Sequence, residues 1–236
     1  MSSEIKIKPL ITIEDQDLGR AVFDHTWAKD AGTEITPNLL QAMVHSGAYL
    51  SGAFIGTDCV GAAFAFPATT GGLHLHSHMT AVMENHRDKG IGFLLKIDQW
   101  HWAKKSNYKE ITWTFDPLVK RNAKLNLLKL GADVSAYYPN FYGEMPDALN
   151  AGDESDRLLA SWKVQGDAPI SRQEIISVES TDILIEIPED IVAIRESDLA
   201  ENLRWRHKVR EQFTEALDKG GQVIGFSANS EYVVRI

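Results

Sequence analysis

The stretch HLHSHMTAVMENHRDKGIG, residues 74–92, decides how the rest of the chain is interpreted. In its first half polar and apolar residues alternate, which is typical of a β-strand, because successive strand side chains point to opposite faces. The alternation predicts that His74, His76, His78 and Thr80 share one face. The second half is a turn with two glycines and several basic side chains. The sequence therefore predicts three titratable rings on a strand directly ahead of a glycine turn.

The turn leads into a segment whose apolar residues recur at helical spacing. A helix start presents free N–H groups and partial positive charge, and Gly90 and Gly92 allow close approach of a ligand to the backbone. His86, Arg87 and Lys89 add positive side chains, so the turn suits a phosphate. Two nucleotide-binding patterns, G-x-G-x-x-G and G-x-x-x-x-G-K-[ST], are absent. The alternative that stays open is a helix start that merely uses glycine.

The remaining pattern predicts a mixed α/β order: a strand, two helices, three strands, a helix, a strand, a helix and two strands. Thr12, with Asp15 three residues on, and Thr36, followed by Pro37, are expected to begin the first two helices. Gly131 is expected to end the short helix of residues 121–130. After a polar connector, a strand, a helix opened by Ser197 and a hairpin are predicted to finish the chain.

Composition excludes several classes of function. The 236 residues are 44% hydrophobic and 24% charged, as in an ordinary folded protein, and the net charge of −9 argues against nucleic-acid and anionic-membrane partners. The single cysteine, Cys59, indicates a reducing compartment and excludes an internal disulfide. The N-terminus lacks the apolar core of a signal peptide, and no apolar run reaches a membrane-spanning length of about 18 residues. We therefore expect a cytoplasmic protein.

The spacing Arg87-x-x-Gly90-x-Gly92, preceded by Ala81 and Val82, resembles the acyl-CoA pyrophosphate signature of the GNAT N-acyltransferase superfamily. The segment NAKLNLLKLGA, residues 122–132, resembles the second signature of that superfamily, and the element order agrees with it. The resemblance covers about residues 4–165. It implies a GNAT-like mixed sheet with splayed central strands in residues 1–165, and a C-terminal strand–helix–hairpin extension in residues 166–236 that packs on it.

The resemblance also implies a function, which is transfer of an acyl group from acyl-CoA to an amine. The strand ahead of the loop would pair with the pantetheine amides, the loop would hold the pyrophosphate, and two asparagines would reach the pantetheine arm or the acceptor. The implied acyl-CoA-binding residues are Thr80, Ala81, Val82, Arg87, Asp88, Lys89, Gly90, Ile91, Gly92, Asn122 and Asn126. For both asparagines the alternative is hydrogen bonding to their own helix.

Many members of the superfamily carry a catalytic carboxylate on this strand, about six residues before the position of Val82, and His76 stands there in this chain. Histidine titrates near neutral pH, which suits removal of a proton from an ammonium group. His76 is therefore the first candidate for the acceptor base and His78 the second. Two alternatives stay open: a zinc site on the histidine strand, for which no completing carboxylate or thiol pattern is evident, and rings that only pack.

The acid that protonates the leaving thiolate is in doubt. Relatives use a tyrosine four residues before the glycine of LGA, and this chain has Leu127 in that position. Tyr137, Tyr138 or Tyr142 would have to substitute, unless a thiol with an ordinary pKa of about 8.5 leaves unaided. Leu127 also favours the alternative function, a non-catalytic acyl-CoA-binding or regulatory module.

The acceptor is expected to be a small-molecule amine or an amino acid, bound by a monomer or homodimer. The motifs LHSHM, RNAKLNLLKLGA and residues 141–162 resemble a bacterial branch in which some members accompany N-acylamino-acid racemases and use succinyl-CoA, so acetyl-CoA and succinyl-CoA are both implied as cosubstrates, without a metal. A bidentate arginine suits a carboxylate. The candidates for this role are Arg204, Arg206 and Arg210, in a basic run with Lys208 that is otherwise a solvated face, and Arg157.

Overall fold

The computed structural model describes residues 4–27, 35–143, 145, 152–169 and 175–236. The chain divides into two compact units, of which the first comprises Met1–Thr112 with Lys163–Ala168 and the second Trp113–Trp162 with Pro169–Ile236. Helices and strands alternate in both, which confirms the mixed α/β class. The expected division at residue 165, into an acyltransferase domain and an extension, stays a prediction.

The first unit is built on a sheet in which the strands lie in sequence order, β1-β2-β3-β4-β5. The first four strands pair antiparallel and β4 pairs parallel with β5, which continues into the second unit. The crossover between β4 and β5 contains a helix, as a parallel pair requires. The strands are β1 Ile5–Pro9, β2 Tyr49–Ile55, β3 Asp58–Ala68, β4 His74–Val82 and β5 Glu110–Phe115.

The helices of this unit begin as the sequence predicts. Thr12 and Asp15 form a reciprocal capping box, and the Thr36 hydroxyl accepts a hydrogen bond from the backbone N–H of Leu39. Each cap satisfies N–H groups that have no partner within the helix. The helices are α1 Ile13–Thr26, α2 Pro37–His45 and α3 Ile91–Lys105, with a short 3₁₀ turn at Glu84–His86.

The core of the first unit lies between the sheet and its helices, and includes the fully buried Phe23, Leu40 and Phe64. Gly61 of β3 determines how closely α3 approaches the sheet. A Cβ atom at this position would lie 3.0 Å from Ile91 and 3.1 Å from the carbonyl oxygen of Ala81. The missing side chain thus lets the first turn of α3 rest directly on the paired ends of β3 and β4.

The second unit contains β6 and β7, which pair antiparallel, and a separate three-stranded sheet with the order β8-β10-β9. Its strands are β6 Asp133–Tyr138, β7 Arg157–Lys163, β8 Ile183–Ile185, β9 Gln222–Phe226 and β10 Tyr232–Arg235. Its helices are α4 Lys120–Ala123, a π-helical continuation at Lys124–Lys129, α5 Ile191–Ser197 and α6 Leu199–Asp218. The strand, helices and hairpin after residue 182 confirm the predicted strand–helix–hairpin order.

Two details of this unit differ from the prediction. Residues 121–130 were expected to form a short helix, and most of the segment is a π-helix that ends before Gly131, whose φ is +62°. The N-cap of α6 is Asp198, so the prediction of Ser197 was wrong. Ser197 is the last residue of α5, an additional helix that Asp190 begins, and its hydroxyl donates to the carbonyl of Ala193. The described residues contain no helix that is long and apolar enough to cross a membrane.

A buried lysine sets the main electrostatic cost in the first unit. Lys96 of α3 is 4% exposed, and its ammonium nitrogen donates to Ser77 Oγ at 2.8 Å and to Gln99 Oε1 at 3.4 Å. Burial disfavours the charged form and lowers the pKa of Lys96 to about 7.

The free energy of unfolding should therefore rise between pH 7 and pH 10 through Lys96. Over this range the unfolded chain keeps the proton on Lys96, whose ordinary pKa is about 10.4, while the folded chain has lost it. Lys96→Met should reduce the slope by up to about 1.4 kcal/mol per pH unit, as measured by urea unfolding at several pH values. Lys105→Met, at an exposed position of the same helix, is the control. Equal slopes for wild type and Lys96→Met would contradict this assignment.

Candidate active site

The side chains of strand β4 alternate between buried and more accessible positions. Leu75, Ser77, Met79 and Ala81 are buried, whereas His76 and Thr80 are half-buried and His78 is exposed. His74, on the same face as His76, is 8% exposed and its Nδ1 lies 2.8 Å from the carbonyl oxygen of Gly72. The three histidines therefore share one face in decreasing order of burial toward the carboxyl end of the strand.

A β-bulge interrupts this strand at His78. Ala65 and Phe64, adjacent in β3, pair with Ser77 and Met79, so β4 carries one additional residue at this point. Bulges bend a strand and re-aim a side chain. The bulge accounts for the exposure of His78, and no local sequence pattern indicates it. Because of the additional residue, Thr80 lies opposite Ala63 and His76 lies opposite Phe66, so the two side chains point to opposite faces. The prediction that Thr80 shares the face of the histidines was therefore wrong.

Within the first unit, β4 pairs with β5 through two residue pairs, Leu75 with Ile111 and His76 with Thr112. Thr80, Ala81 and Val82 stay paired with β3 on the other side. Among the described residues of the first unit, the edge of β4 beyond His76 that faces away from β3 has no strand partner. Backbone groups at such an edge are satisfied by water or by a ligand that carries amides.

The glycine turn after β4 has the geometry of an anion site. Asp88 and Gly90 have φ values of +62° and +77°, so the backbone enters the left-handed region twice within three residues. Successive N–H groups in such turns converge on a concave surface that binds anions. Gly90 is the N-cap of α3, and no side chain caps the helix, whose first turn contains no acidic residue. The free N–H groups at this start are therefore available to a ligand.

The turn contains both favourable and unfavourable side chains for a phosphate. Arg87 lies 3.9 Å from Glu84, a distance too long for a strong pair, and Lys89 donates to the carbonyl of Asn85 at 2.9 Å. Both cations are near the surface, and the carboxylate of Asp88 is exposed beside them. The charge of Asp88 opposes phosphate binding. Its favourable contribution is the left-handed backbone conformation of the turn.

Two further atoms of the turn bear on the fit of a pyrophosphate. Ile91 is 1% exposed, so it fixes the helix start by packing and offers a ligand only its backbone N–H. His86 Nδ1 is a buried polar atom without a hydrogen-bond partner among the described residues. A pyrophosphate fits this turn for three reasons. The helix start has free N–H groups, Arg87 and Lys89 are weakly engaged cations near the surface, and His86 Nδ1 lacks a hydrogen-bond partner among the described residues.

His76 pairs with Thr112, the last residue of β5 that belongs to the first unit. Its Nδ1 is 3.2 Å from Thr112 Oγ1, and its ring centroid is 5.3 Å from that of Phe66 and 6.2 Å from that of His78. Burial first, then the neighbouring His78, His74 and Lys96, lower the pKa of His76 to about 4. The expectation that His76 titrates near neutral pH is thus wrong for this environment, and the ring is neutral at pH 7.

The histidine strand does not show a metal site. Within the described ranges, no group of three or more histidine, cysteine, aspartate or glutamate side chains is arranged to hold a metal ion. The rings of His76 and His78 instead pack near Phe66, at centroid distances of 5.3 Å and 5.6 Å.

The asparagine candidates lie in the second unit. Asn126 is 5% exposed, and its Oδ1 accepts a hydrogen bond from Trp113 Nε1 at 3.1 Å. Its amide oxygen is thus bound to a side chain of β5, and neither the coenzyme role nor hydrogen bonding to its own helix is shown. Asn122 is half-buried at the end of α4, and Leu127, in the position of the expected tyrosine, is 9% exposed.

The three tyrosines proposed as substitute acids differ in environment. The Tyr137 hydroxyl donates to Asp156 Oδ2 at 2.5 Å, and burial together with this carboxylate raises the pKa of Tyr137, so it is a poor acid. Tyr142 is 40% exposed, and its hydroxyl lies 3.0 Å from Thr114 Oγ1. Tyr138 is exposed and stacks near Phe141.

The basic run of α6 is engaged by carboxylates of the second unit. Arg206 is 1% exposed and binds Asp116 and Asp153, at 2.7 Å and 2.6 Å. Arg195 of α5 binds the same two aspartates. The sequence did not predict these four ion pairs, because their members lie up to 90 positions apart and form no local pattern.

The other members of the run are also paired. Arg210 binds Asp156 and Glu154, Arg204 binds Glu201, and Lys208 lies 3.0 Å from Glu186. Arg204 and Lys208 are on the surface, as expected of a solvated face, whereas Arg206 is at the centre of a buried ion-pair network.

Comparison with known proteins gives a result at the level of the fold. No family model and no curated protein matches the sequence. Solved structures do match, among them a GNAT-family acetyltransferase from Streptococcus pneumoniae, with a TM-score of 0.56 and 13% identity over 69% of this chain and 100% of that chain. The chain has the GNAT acetyltransferase fold. The predicted GNAT-like mixed α/β fold is thus confirmed.

Two other matches share the GNAT fold at similar distance. The ribosomal-protein-S18-alanine N-acetyltransferase of Escherichia coli has a TM-score of 0.55 and 11% identity, over 70% of this chain and 97% of that chain. A GNAT acetyltransferase of Elizabethkingia anophelis with acetyl-CoA bound has a TM-score of 0.50 and 19% identity, over 69% and 99%. About 30% of this chain thus lies outside the part shared with these structures.

The turn predicts a difference in affinity between two ligands. Coenzyme A should bind at least about tenfold more tightly than pantetheine, since only coenzyme A has the pyrophosphate, and charge-assisted hydrogen bonds are each worth about 1.5–3 kcal/mol. Titration calorimetry measures both. Equal affinities would be evidence against a pyrophosphate site.

Gly90→Val should weaken coenzyme A binding, by about tenfold or more, because a β-branched residue does not adopt a φ of +77° without strain. The matched control is Gly56→Val in the β2–β3 turn, where φ is +62° and, as at Gly90, a Cβ atom would meet nothing within 4 Å. The account fails if the two variants bind coenzyme A alike.

Proposed function

We propose that this protein is an acyl-CoA-dependent N-acyltransferase that transfers an acetyl or succinyl group to the amine of a small molecule, with amino acids among the acceptors. The observation that carries the proposal is the combination, within the first unit, of an unpaired β4 edge with an uncapped helix start at Gly90. The edge offers backbone partners to an amide-bearing chain, and the helix start offers N–H donors to the phosphates that follow such a chain. Acyl-CoA has both features.

The proposed reaction is a direct transfer that needs no covalent intermediate on the protein. The acceptor nitrogen attacks the thioester carbonyl, a C–N bond forms, the C–S bond breaks and the sulfur leaves as a thiolate, while the nitrogen loses a proton. An N–H group on the free edge of β4 is suited to stabilise the oxyanion. The thiolate either takes a proton from water or leaves unprotonated, which fits Leu127 in the position of the expected tyrosine.

His76 is the first candidate for activation of the acceptor and His78 the second. His76 is neutral at pH 7, so its ring accepts a hydrogen bond from the attacking amine at every pH above about 5. Its low pKa makes it a weak base, so its proposed role is to orient the amine and relay its proton. His78 is the more exposed ring, at the bulge.

His76→Ala should lower kcat by about 10²–10⁴-fold, the usual contribution of a group that handles the proton, with little change in coenzyme A affinity. His78→Ala, the matched variant on the same face, should cost less. Steady-state release of coenzyme A at saturating acceptor measures both. A folded His76→Ala protein with wild-type turnover would refute the assignment.

The pH dependence follows from the same pKa. Since His76 loses its proton near pH 4, it should contribute no limb to the pH–rate profile between pH 6 and pH 9. Any limb in that range should move with the pKa of the acceptor amine when one acceptor replaces another. A limb that stays fixed across acceptors and vanishes in His76→Ala would contradict the low pKa.

A second candidate function is a binding module that holds acyl-CoA without turning it over. It is favoured by Leu127 and by Tyr137, whose hydroxyl is held by Asp156. Coenzyme A release across a panel of amines, amino acids and Ala-initiated peptides separates the two, and binding without release supports the module. The peptides belong in the panel because one GNAT-fold neighbour is a protein N-terminal acetyltransferase. A cytoplasmic location and a monomer or homodimer remain part of the proposal.

A further inference from the structure

Among the described residues, Arg157 is a buried cation without a carboxylate partner. It is the first residue of β7, is 8% exposed, and pairs opposite Tyr138 of β6. Its Nη1 donates to the backbone carbonyl of Asp156 at 2.8 Å, and its Nη2 lies 3.3 Å from the sulfur of Met145. Within the part of the chain that the structure describes, the guanidinium makes no ion pair.

This situation is costly, because a charge removed from water requires compensation by an opposite charge or by strong hydrogen bonds. A carbonyl oxygen and a thioether provide little of either. Burial, and the neighbouring Arg206 and Arg195, lower the pKa of Arg157, while Asp116 acts in the opposite direction. Arg157 thus lies in a field in which a further negative charge would be stabilising.

The carboxylates nearby are already engaged. Asp116 and Asp153 are each shared by Arg206 and Arg195, at distances of 2.6–3.3 Å. Asp156 is occupied by Arg210 and by the Tyr137 hydroxyl. The other arginines of the basic run therefore have partners within the chain, and Arg157 is the arginine of this network for which the described residues supply none.

The surroundings of Arg157 have the character of a small-molecule site. The guanidinium carbon lies 5.2 Å from the ring centre of Tyr142, whose exposed hydroxyl lies 3.0 Å from Thr114 Oγ1. An aromatic ring over a guanidinium, with two hydroxyls beside it, provides one charged and two neutral hydrogen-bonding groups. Phe141 continues the exposed aromatic surface, with its ring centre 4.7 Å from that of Tyr142.

We propose that Arg157, with Tyr142 and Thr114, binds a carboxylate group of a small-molecule ligand. The inference rests on the proposed function in one respect, because an acyltransferase has two substrates and either can contain this carboxylate. The carboxylate belongs either to the acceptor, which is then an amino acid or a related acid, or to the acyl group of a dicarboxylic acyl-CoA such as succinyl-CoA. The carboxylate is the shared chemistry, and the two sources are separable by experiment.

The first experiment compares substrates that differ in a single carboxylate. With acetyl-CoA, kcat/KM is measured for the amino acids and for the corresponding carboxamides. With one fixed acceptor, succinyl-CoA is compared with butyryl-CoA, in which a methyl group replaces the carboxylate. We expect one of the two comparisons to favour the carboxylate by about 10- to 100-fold, the value of a hydrogen bond to a charged group. No preference in either comparison would overturn the inference.

Variants connect the preference to the residue. Arg157→Gln should reduce the preference for the carboxylate to less than about threefold. Arg157→Lys keeps the positive charge but loses the planar guanidinium that binds a carboxylate through two hydrogen bonds, so it should retain part of the preference. The control is Arg204→Gln on the surface of α6, which should keep the wild-type preference. A preference that persists unchanged in Arg157→Gln would overturn the assignment even if the preference itself is real.

A binding measurement distinguishes failure of this inference from failure of the proposed function. Succinate should raise the midpoint of thermal unfolding of the full-length wild type more than succinamide does, and should not do so for Arg157→Gln. This readout needs no turnover. Stabilisation by succinate without any coenzyme A release would uphold the carboxylate site and reject the acyltransferase. Turnover of amines without any effect of a carboxylate would support the acyltransferase and reject the carboxylate site.

Discussion

The edge of β4 beyond His76 is the feature on which the candidate chemistry depends. A backbone group inside a sheet that has no partner loses a hydrogen bond, so a free strand edge suits a ligand that carries amides. Within the described residues of the first unit, β4 pairs with β5 as far as His76 and continues to Val82 with β3 beside it. The free edge, the bulge at His78 and the turn at Gly90 all lie in the segment from His74 to Gly90. A ligand with amides at one end and phosphates at the other is complementary to this sequence of features.

The first unit is the part that the sequence predicts best, because its signals are local. Alternation from His74 to Thr80, the Thr12 capping box and the Thr36 cap each depend on residues within four positions of one another. The bulge at His78 and the pKa of His76 depend on residues from β3, β5 and α3. The sequence therefore predicts the shared face of the histidines, but it predicts neither the change of face at Thr80 nor the low pKa of His76.

The second unit was harder to predict for the same physical reason. Its central contact, Arg206 with Asp116 and Asp153, joins residues separated by 90 and 53 positions, and a basic run on a helix is more often solvated. The network engages the nearby aspartates, and it therefore leaves Arg157 buried without a carboxylate partner among the described residues. Ser197 shows the limit of local rules in another way, because a good N-cap residue is followed directly by a better placed Asp198.

Amide hydrogen exchange on the intact protein, with and without coenzyme A, tests the central claim most directly. Exchange slows where a ligand accepts a backbone hydrogen bond or suppresses local opening. The account predicts protection on the β4 edge around Thr80–Val82 and at the helix start around Gly90–Gly92, and little change in the β8-β10-β9 sheet of the second unit. Binding of coenzyme A that leaves the exchange of both segments unchanged would contradict it.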